Sequence, residues 1–157
     1  MGDNLKIGII SDTHQTSWSS GDVPDWVAAA FAGVDVIFHA GDVECAEFLL
    51  QLQTLAPVVA VRGNCDQSLS HLPHSVSYRL GRSMAVIAHR VEDARRSVDA
   101  NTALMVYGHT HIPIIVREGN LLVVNPGSPS KPRGGNQPSV VVATFDGQRI
   151  EAEFKYR

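Results

Sequence analysis

The sequence predicts an α/β chain built as two facing β-sheets with helices outside, and two observations carry that expectation. Over the first 66 residues, apolar runs of strand length alternate with segments of helical periodicity, and each run ends in a polar cluster at Asp12, Asp42 or Asn64. Beyond residue 75 the pattern turns to short strands and hairpin turns, so a second sheet is expected instead of one doubly wound sheet.

The elements follow in order. Leu5–Ile10 is apolar apart from Lys6 and Gly8 and reads as a buried strand that delivers Asp12 to its carboxyl end. Residues 15–21 are polar and serine-rich, hence a loop; Pro24 then suits the first turn of a helix whose apolar face is Trp26, Val27, Ala30 and Phe31, and Gly33 ends it. Residues 34–39 form the second strand. Residues 44–54 form the second helix, with Phe48, Leu49 and Leu52 at helical spacing and Pro57 beyond its end, and residues 58–61 form the third strand. Parallel strands joined by helices bring their carboxyl ends to one edge.

After a loop over residues 67–74, Ser75–Leu80 and Ser83–Ala88 read as a hairpin around Gly81, and the second of them runs into His89. Residues 92–98 are a short, charged and exposed helix, and residues 104–107 a strand ending at Gly108-His109. Strands over residues 114–117, 121–124, 140–145 and 149–156 complete the chain, with turns at Glu118-Gly119-Asn120 and Asp146-Gly147 and one long loop over residues 125–135.

Composition bounds the function. A chain of 157 residues is of the usual size for one domain, here taken as residues 1–157. Its 44% hydrophobic and 18% charged residues are those of a soluble globular protein. A net charge of -3 offers no basic field for nucleic acid, so any phosphate chemistry must rest on a local site. Cys45 and Cys65 form no paired framework, no disulfide is expected, and no apolar run approaches the roughly 18 residues of a membrane span. With no charged leader followed by an apolar core, the chain reads as cytoplasmic.

Seven donors stand at five expected strand ends: Asp12, His14, Asp42, Asn64, His89, His109 and His111. Any one alone is an ordinary turn or surface residue; together they make a metal site. Asp12 and His14 are two apart, as are His109 and His111, and in extended backbone such pairs point the same way. Two divalent ions roughly 3.5 to 4 Å apart need a shared carboxylate, and Asp42, just past a glycine at a strand end, is the natural bridge. The mixture of imidazole, carboxylate and amide oxygen argues against a structural thiolate site and suits Mn²⁺ first, with Fe²⁺, Zn²⁺ or Ni²⁺ as alternatives. Such a pair lowers the pKa of a shared water towards about 7 for attack on phosphorus, and Asn64 has a carbonyl oxygen for a metal and amide hydrogens for a phosphate oxygen. His39 is expected as a buried histidine that orients Asp42 or its neighbours; His71 and His74 are expected as solvated, Cys45 as packing, and Trp18 as a core or interface residue or a stacking platform.

Ser11-Asp12-Thr13-His14, Gly41-Asp42, Gly63-Asn64-Cys65-Asp66, His89, Gly108-His109-Thr110-His111 and Asn125-Pro126-Gly127-Ser128 resemble, in order, the signature of the calcineurin-like metallophosphoesterase superfamily. Within it the chain is similar to the small bacterial and archaeal phosphodiesterases. The resemblance implies a four-layer αββα sandwich of two mixed β-sheets flanked by helices, and a dinuclear metal-dependent phosphodiesterase acting on a small phosphate ester. It implies one ion held by Asp12, His14, Asp42 and His111, and a second by Asp42, Asn64, His89 and His109. Two departures stand out. Cys65 occupies the place of a histidine that serves larger members as general acid, which leaves Asp66 or bulk water to protonate the leaving group. Arg90 and Val91 follow His89 where the family has glycine and histidine, and Arg90 either grips substrate phosphate or occludes the site. The alternative function is a protein-interaction scaffold with a vestigial site, like the retromer subunit of the same fold; the complete donor set favours the enzyme. Whether the chain forms a homodimer stays open.

Overall fold

The computed structural model describes residues 4–15 and 21–157, so Trp18 and most of the loop expected around it lie outside the described residues. The first half alternates β1 (Leu5–Ile10), α1 (Asp25–Ala30), β2 (Val36–His39), α2 (Ala46–Gln53) and β3 (Val58–Ala60). A single 3-10 turn at Gln67–Leu69 leads to β4 (Ser75–Leu80), β5 (Ser83–Ala88), α3 (Val91–Ser97) and β6 (Thr102–Val106). The chain closes with β7 (Ile114–Glu118), β8 (Leu121–Asn125), β9 (Ser139–Phe145) and β10 (Ile150–Tyr156).

These strands form two mixed five-stranded sheets, ordered β10-β9-β1-β2-β3 and β4-β5-β6-β8-β7. The period-2 alternation within each strand sorts side chains between layers. Ile7, Ile9, Val36 and Phe38 face Ala85, Ile87, Leu104 and Val106 of the other sheet in the central core. On the opposite face of the first sheet, Ile10 and Ile37 pack under Val27 and Phe31 of the first helical segment and Phe48 and Leu52 of α2. Val86, Met105 and Val123 pack likewise under Ala94 of α3. The layers are therefore helix, sheet, sheet, helix. Each fully buried large apolar side chain contributes roughly 1.5 to 3 kcal/mol.

The second half does not stay in the second sheet. β9 returns to pair antiparallel with β1, and β10 pairs with β9. The reason lies in β9, where Val140 and Val142 serve the helix-covered face while Val141, Ala143 and Phe145 serve the central core. A strand apolar on both faces must be covered on both, and the open side of β1 supplies that place. α3 also differs from the exposed helix expected, since Ala94 is fully buried against the sheet although the rest of its surface is charged. No helix among the described residues is long and apolar enough to cross a membrane.

The functional consequence comes from direction. β1, β2 and β3 are parallel in one sheet, and β5, β6 and β8 are parallel in the other. Segments leaving the carboxyl ends of β1, β2, β3, β5 and β6 carry the seven predicted donors.

Candidate metal centre

The backbone around the donors is not extended. Among the described residues, the non-glycine positions of positive φ are Asp12, His14, Asp42, Glu44, His109 and His111, at 55°, 47°, 58°, 69°, 72° and 59°. Five of the six are predicted donors. Left-handed backbone costs an L-residue roughly 1 to 2 kcal/mol, so this concentration marks a place where geometry is imposed by surrounding bonds. Those bonds are present: Asp12 N–H donates to Gly41 O at 2.9 Å and His14 N–H to Asp42 O at 3.0 Å. The expectation that extended backbone aims each i, i+2 pair into one place is corrected accordingly. Asp12 and His14 share a group of donors, whereas His109 and His111 diverge into different groups.

Two close approaches permit this packing. A Cβ at Gly63 would lie 2.1 Å from Asp42 Oδ1, and one at Gly108 would lie 2.0 Å from Ser11 Oγ. Only glycine lets these turns reach the two carboxylates.

Three imidazoles are locked by groups that can only accept. His14 Nδ1 lies 2.7 Å from Glu44 Oε2, His89 Nδ1 2.7 Å from Ala40 O, and His111 Nδ1 2.6 Å from Lys131 O. Each therefore donates from Nδ1, and in the neutral ring each turns an Nε2 lone pair the other way. His14 Nε2 and His111 Nε2 then face each other at 3.2 Å. His89 Nε2 stands 2.9 Å from Asn64 Oδ1 and 3.3 Å from Asp42 Oδ2, and His109 Nδ1 stands 3.1 Å from Asn64 Oδ1.

Among these lone pairs sits Asp12. Its Oδ2 accepts from Ser11 Oγ at 2.7 Å and His109 N–H at 2.9 Å, but its buried Oδ1 has no hydrogen-bond partner. That orphaned oxygen is 3.3 Å from His111 Nε2, 3.9 Å from His89 Nε2 and 4.0 Å from His14 Nε2. Acceptors converging on acceptors repel unless a cation lies among them. The arrangement fits divalent ions, and two groups of donor atoms are compact enough to hold one each: Asp12, His14 and His111, and Asp42, His89 and His109, each within 4.8 Å. Asp42 also groups with His14 and Cys65 on the same criterion, so it borders both.

The carboxylates create a field that favours a cation, whether a metal ion or a proton on the rings. Burial alone would raise the Asp42 carboxyl, but the bond that a protonated His89 makes to it and the Cys65 N–H outweigh it and hold it well below the usual carboxylate range. Burial works against the charged form of His89, and the bond to Asp42 with the field of Asp12 overcomes it, so His89 is raised. His111 is raised by its contact with Asp12. His109 is lowered by burial and then by the Arg90 guanidinium, whose charge thus reaches the centre.

The remaining predicted residues fall in distinct places. Asp66 is fully buried, its Oδ2 accepting from Asp42 N–H and Gly63 N–H and its Oδ1 from Glu44 N–H at 2.8, 2.8 and 2.7 Å. It faces inward and ties two turns together, which corrects the expectation that it donates a proton to a leaving group. Asn64 is exposed, with its amide turned to Cys65 Sγ at 3.4 Å. Burial, then Asp42, push the Cys65 thiol up to about 11. His39 is fully buried; its Nδ1 accepts from Gly41 N–H at 3.1 Å and its Nε2 faces Thr13 Oγ1 at 3.0 Å. Burial first, against the pull of Asp66 and Asp12, brings it down to about 4, so it is a neutral brace of the Gly41 turn. Arg90 is exposed beside the centre, and Cys45 is buried with its thiol on Glu47.

Sequence reasoning missed Glu44, which fixes the His14 ring, and the carbonyls of Ala40 and Lys131, which fix His89 and His111. Glu44 carried a signal, standing two residues after Asp42 just before a helix. The carbonyls carried none. Asn125, singled out only within its motif, donates from Nδ2 to Gly108 O and Thr110 Oγ1 at 3.1 and 3.0 Å and so braces the turn bearing His109.

Comparison with known proteins places this geometry. A "probable metallophosphoesterase" of Methanothermobacter thermautotrophicus is 36% identical over 158 aligned positions, which cover 95% of this chain and 91% of that protein. The solved structure of the phosphoesterase YfcE from E. coli is similar with a TM-score of 0.68 and 27% identity, over 97% of this chain and 99% of that one. Vacuolar Protein Sorting 29 from Cryptosporidium parvum shares the fold, with a TM-score of 0.75 at 16% identity over 98% and 99% of the two chains. The model of the calcineurin-like phosphoesterase superfamily domain matches residues 5–148, a span that takes in every donor around Asp12 and Asp42, and the chain belongs to that superfamily.

Proposed function

We propose that this chain is a metal-dependent phosphodiesterase, one domain over residues 1–157, hydrolysing small phosphate esters at a centre of two divalent ions. The observation that carries the reading is the convergence of the His14, His89 and His111 lone pairs on the orphaned Asp12 Oδ1 and on Asp42. Asp12, His14, Asp42 and His111 would hold one ion, and Asp42, Asn64, His89 and His109 the other, with Mn²⁺ the first choice. Asp42 is suited to the shared position because its Oδ2 lies 3.7 Å from His14 Nε2 and 3.3 Å from His89 Nε2, one residue from each set.

When bound, such ions supply Lewis-acid chemistry, lowering the pKa of water and offsetting charge on the phosphoryl oxygens. The chain supplies the rest. Glu44 and the Ala40 and Lys131 carbonyls hold the rings so that little reorganisation is needed on loading. Asn64, exposed at the rim, has an amide in reach of substrate oxygens. With Asp66 buried and facing inward on three N–H groups, leaving-group protonation falls to bulk water. Diesters are favoured over monoesters by the kinship with YfcE, named a phosphodiesterase. Two free cysteines fit a cytoplasmic location.

Protein reconstituted with Mn²⁺ is expected to hydrolyse bis(p-nitrophenyl) phosphate, and to do so faster than p-nitrophenyl phosphate. Turnover no greater than that of the metal-free protein would overturn the reading.

A further inference from the structure

Beside the candidate centre lies a cavity of about 340 Å³ whose wall includes Arg62, His74, Arg90 and Asp93 together with Asn64 and His89. Among the described residues, the side chains of Arg62, His74 and Arg90 make no hydrogen bond and no ion pair. Arg95 and Arg96 of the nearby α3, by contrast, pair with Glu118 and Asp93. Two guanidiniums with no carboxylate partner among the described residues give the wall of this one cavity a local excess of positive charge. The one carboxylate in the wall, Asp93, is already held by Arg96 Nη1 at 2.8 Å.

The backbone accounts for the gathering. Arg62 N–H donates to Pro73 O at 2.8 Å, which ties the segment bearing His74 to the end of β3. Arg90 follows directly on His89, so its guanidinium starts one residue from the centre. The lining has no phenylalanine, tyrosine, tryptophan or large aliphatic side chain, so it offers little apolar surface. It offers charge and donors, and a guanidinium fork matches phosphate oxygens.

We propose that this cavity holds a second phosphate of the substrate, so that the preferred ester is a phosphodiester carrying a further phosphate close to the scissile one. Arg62 and Arg90 grip that group, with His74 as a third donor, and Arg90 is a binder and not an obstruction. The proposal rests on the phosphodiesterase reading above.

The test compares thymidine 5′-(p-nitrophenyl phosphate) with the same ester bearing a 3′-phosphate. Wild type is expected to prefer the 3′-phosphorylated ester in kcat/KM by about tenfold or more. Arg62→Gln and Arg90→Gln are each expected to reduce that preference about tenfold, chiefly through KM. A wild type without preference, or variants that keep it, would overturn the proposal. Calorimetric titration of thymidine 3′,5′-bisphosphate into metal-free protein separates the two readings. If wild type cleaves neither ester, the phosphodiesterase reading fails; the cavity proposal then stands if the variants bind the bisphosphate about tenfold more weakly, and falls if all three proteins bind alike.

Discussion

Asp42→Ala is expected to lower turnover of bis(p-nitrophenyl) phosphate by about 10³-fold or more and to weaken both metal sites together. The carboxylate borders both groups of donors, and its Oδ1 also accepts from Cys65 N–H at 2.9 Å, so one truncation removes a shared ligand and frees the turn that carries Asn64. His14→Ala and His89→Ala each touch one group and should each weaken chiefly one site. Metal content measured by elemental analysis against free-ion concentration distinguishes these cases. A variant at Asp42 that keeps one site at wild-type affinity would contradict the shared role.

Asp66→Ala is expected to cost at least about 3 kcal/mol of stability, a fall in Tm on the order of 10 °C for a chain of this size. Three N–H groups, those of Asp42, Gly63 and Glu44, would lose their acceptor in a fully buried place. Asp66→Asn keeps the shape but presents an amide to at least one of these donors, so it should also lower Tm, measured by differential scanning calorimetry. Residual turnover of the Asn variant should keep the basic limb of the wild-type pH profile. An Asn variant with unchanged Tm but a lost basic limb would restore Asp66 as a general acid.

The contrast between Asp42 and Asp66 measures what could be read from residue order. Asp42 follows a strand and a glycine, and its position at the sheet rim is a local consequence of those two facts. Asp66 has the same residue type in a similar turn, yet two of the three N–H groups that set its direction, those of Asp42 and Glu44, lie 24 and 22 residues away, where no nearby pattern encodes them. The strands and their carboxyl ends were apparent because apolar periodicity is local. The return of β9 to the first sheet was not, because it answers an open strand edge left by residues more than a hundred positions earlier. Left-handed backbone at five donors was likewise hidden, since it depends on cross-segment bonds such as His109 N–H to Asp12 Oδ2 and not on glycine or asparagine at those positions. Conversely, the seven donors were conspicuous because chemistry restricts which side chains can bind a divalent ion. The groups that aim them were not, because a carbonyl from Ala40 or Lys131 can belong to any residue.

Anomalous scattering at the manganese edge, from crystals of protein reconstituted with Mn²⁺, tests most directly whether two ions share Asp42. Two peaks roughly 3.5 to 4 Å apart, one beside Asp12, His14 and His111 and one beside Asn64, His89 and His109, with Asp42 between them, are the predicted result. A single peak, or two peaks of which one lies away from Asp42, would contradict it.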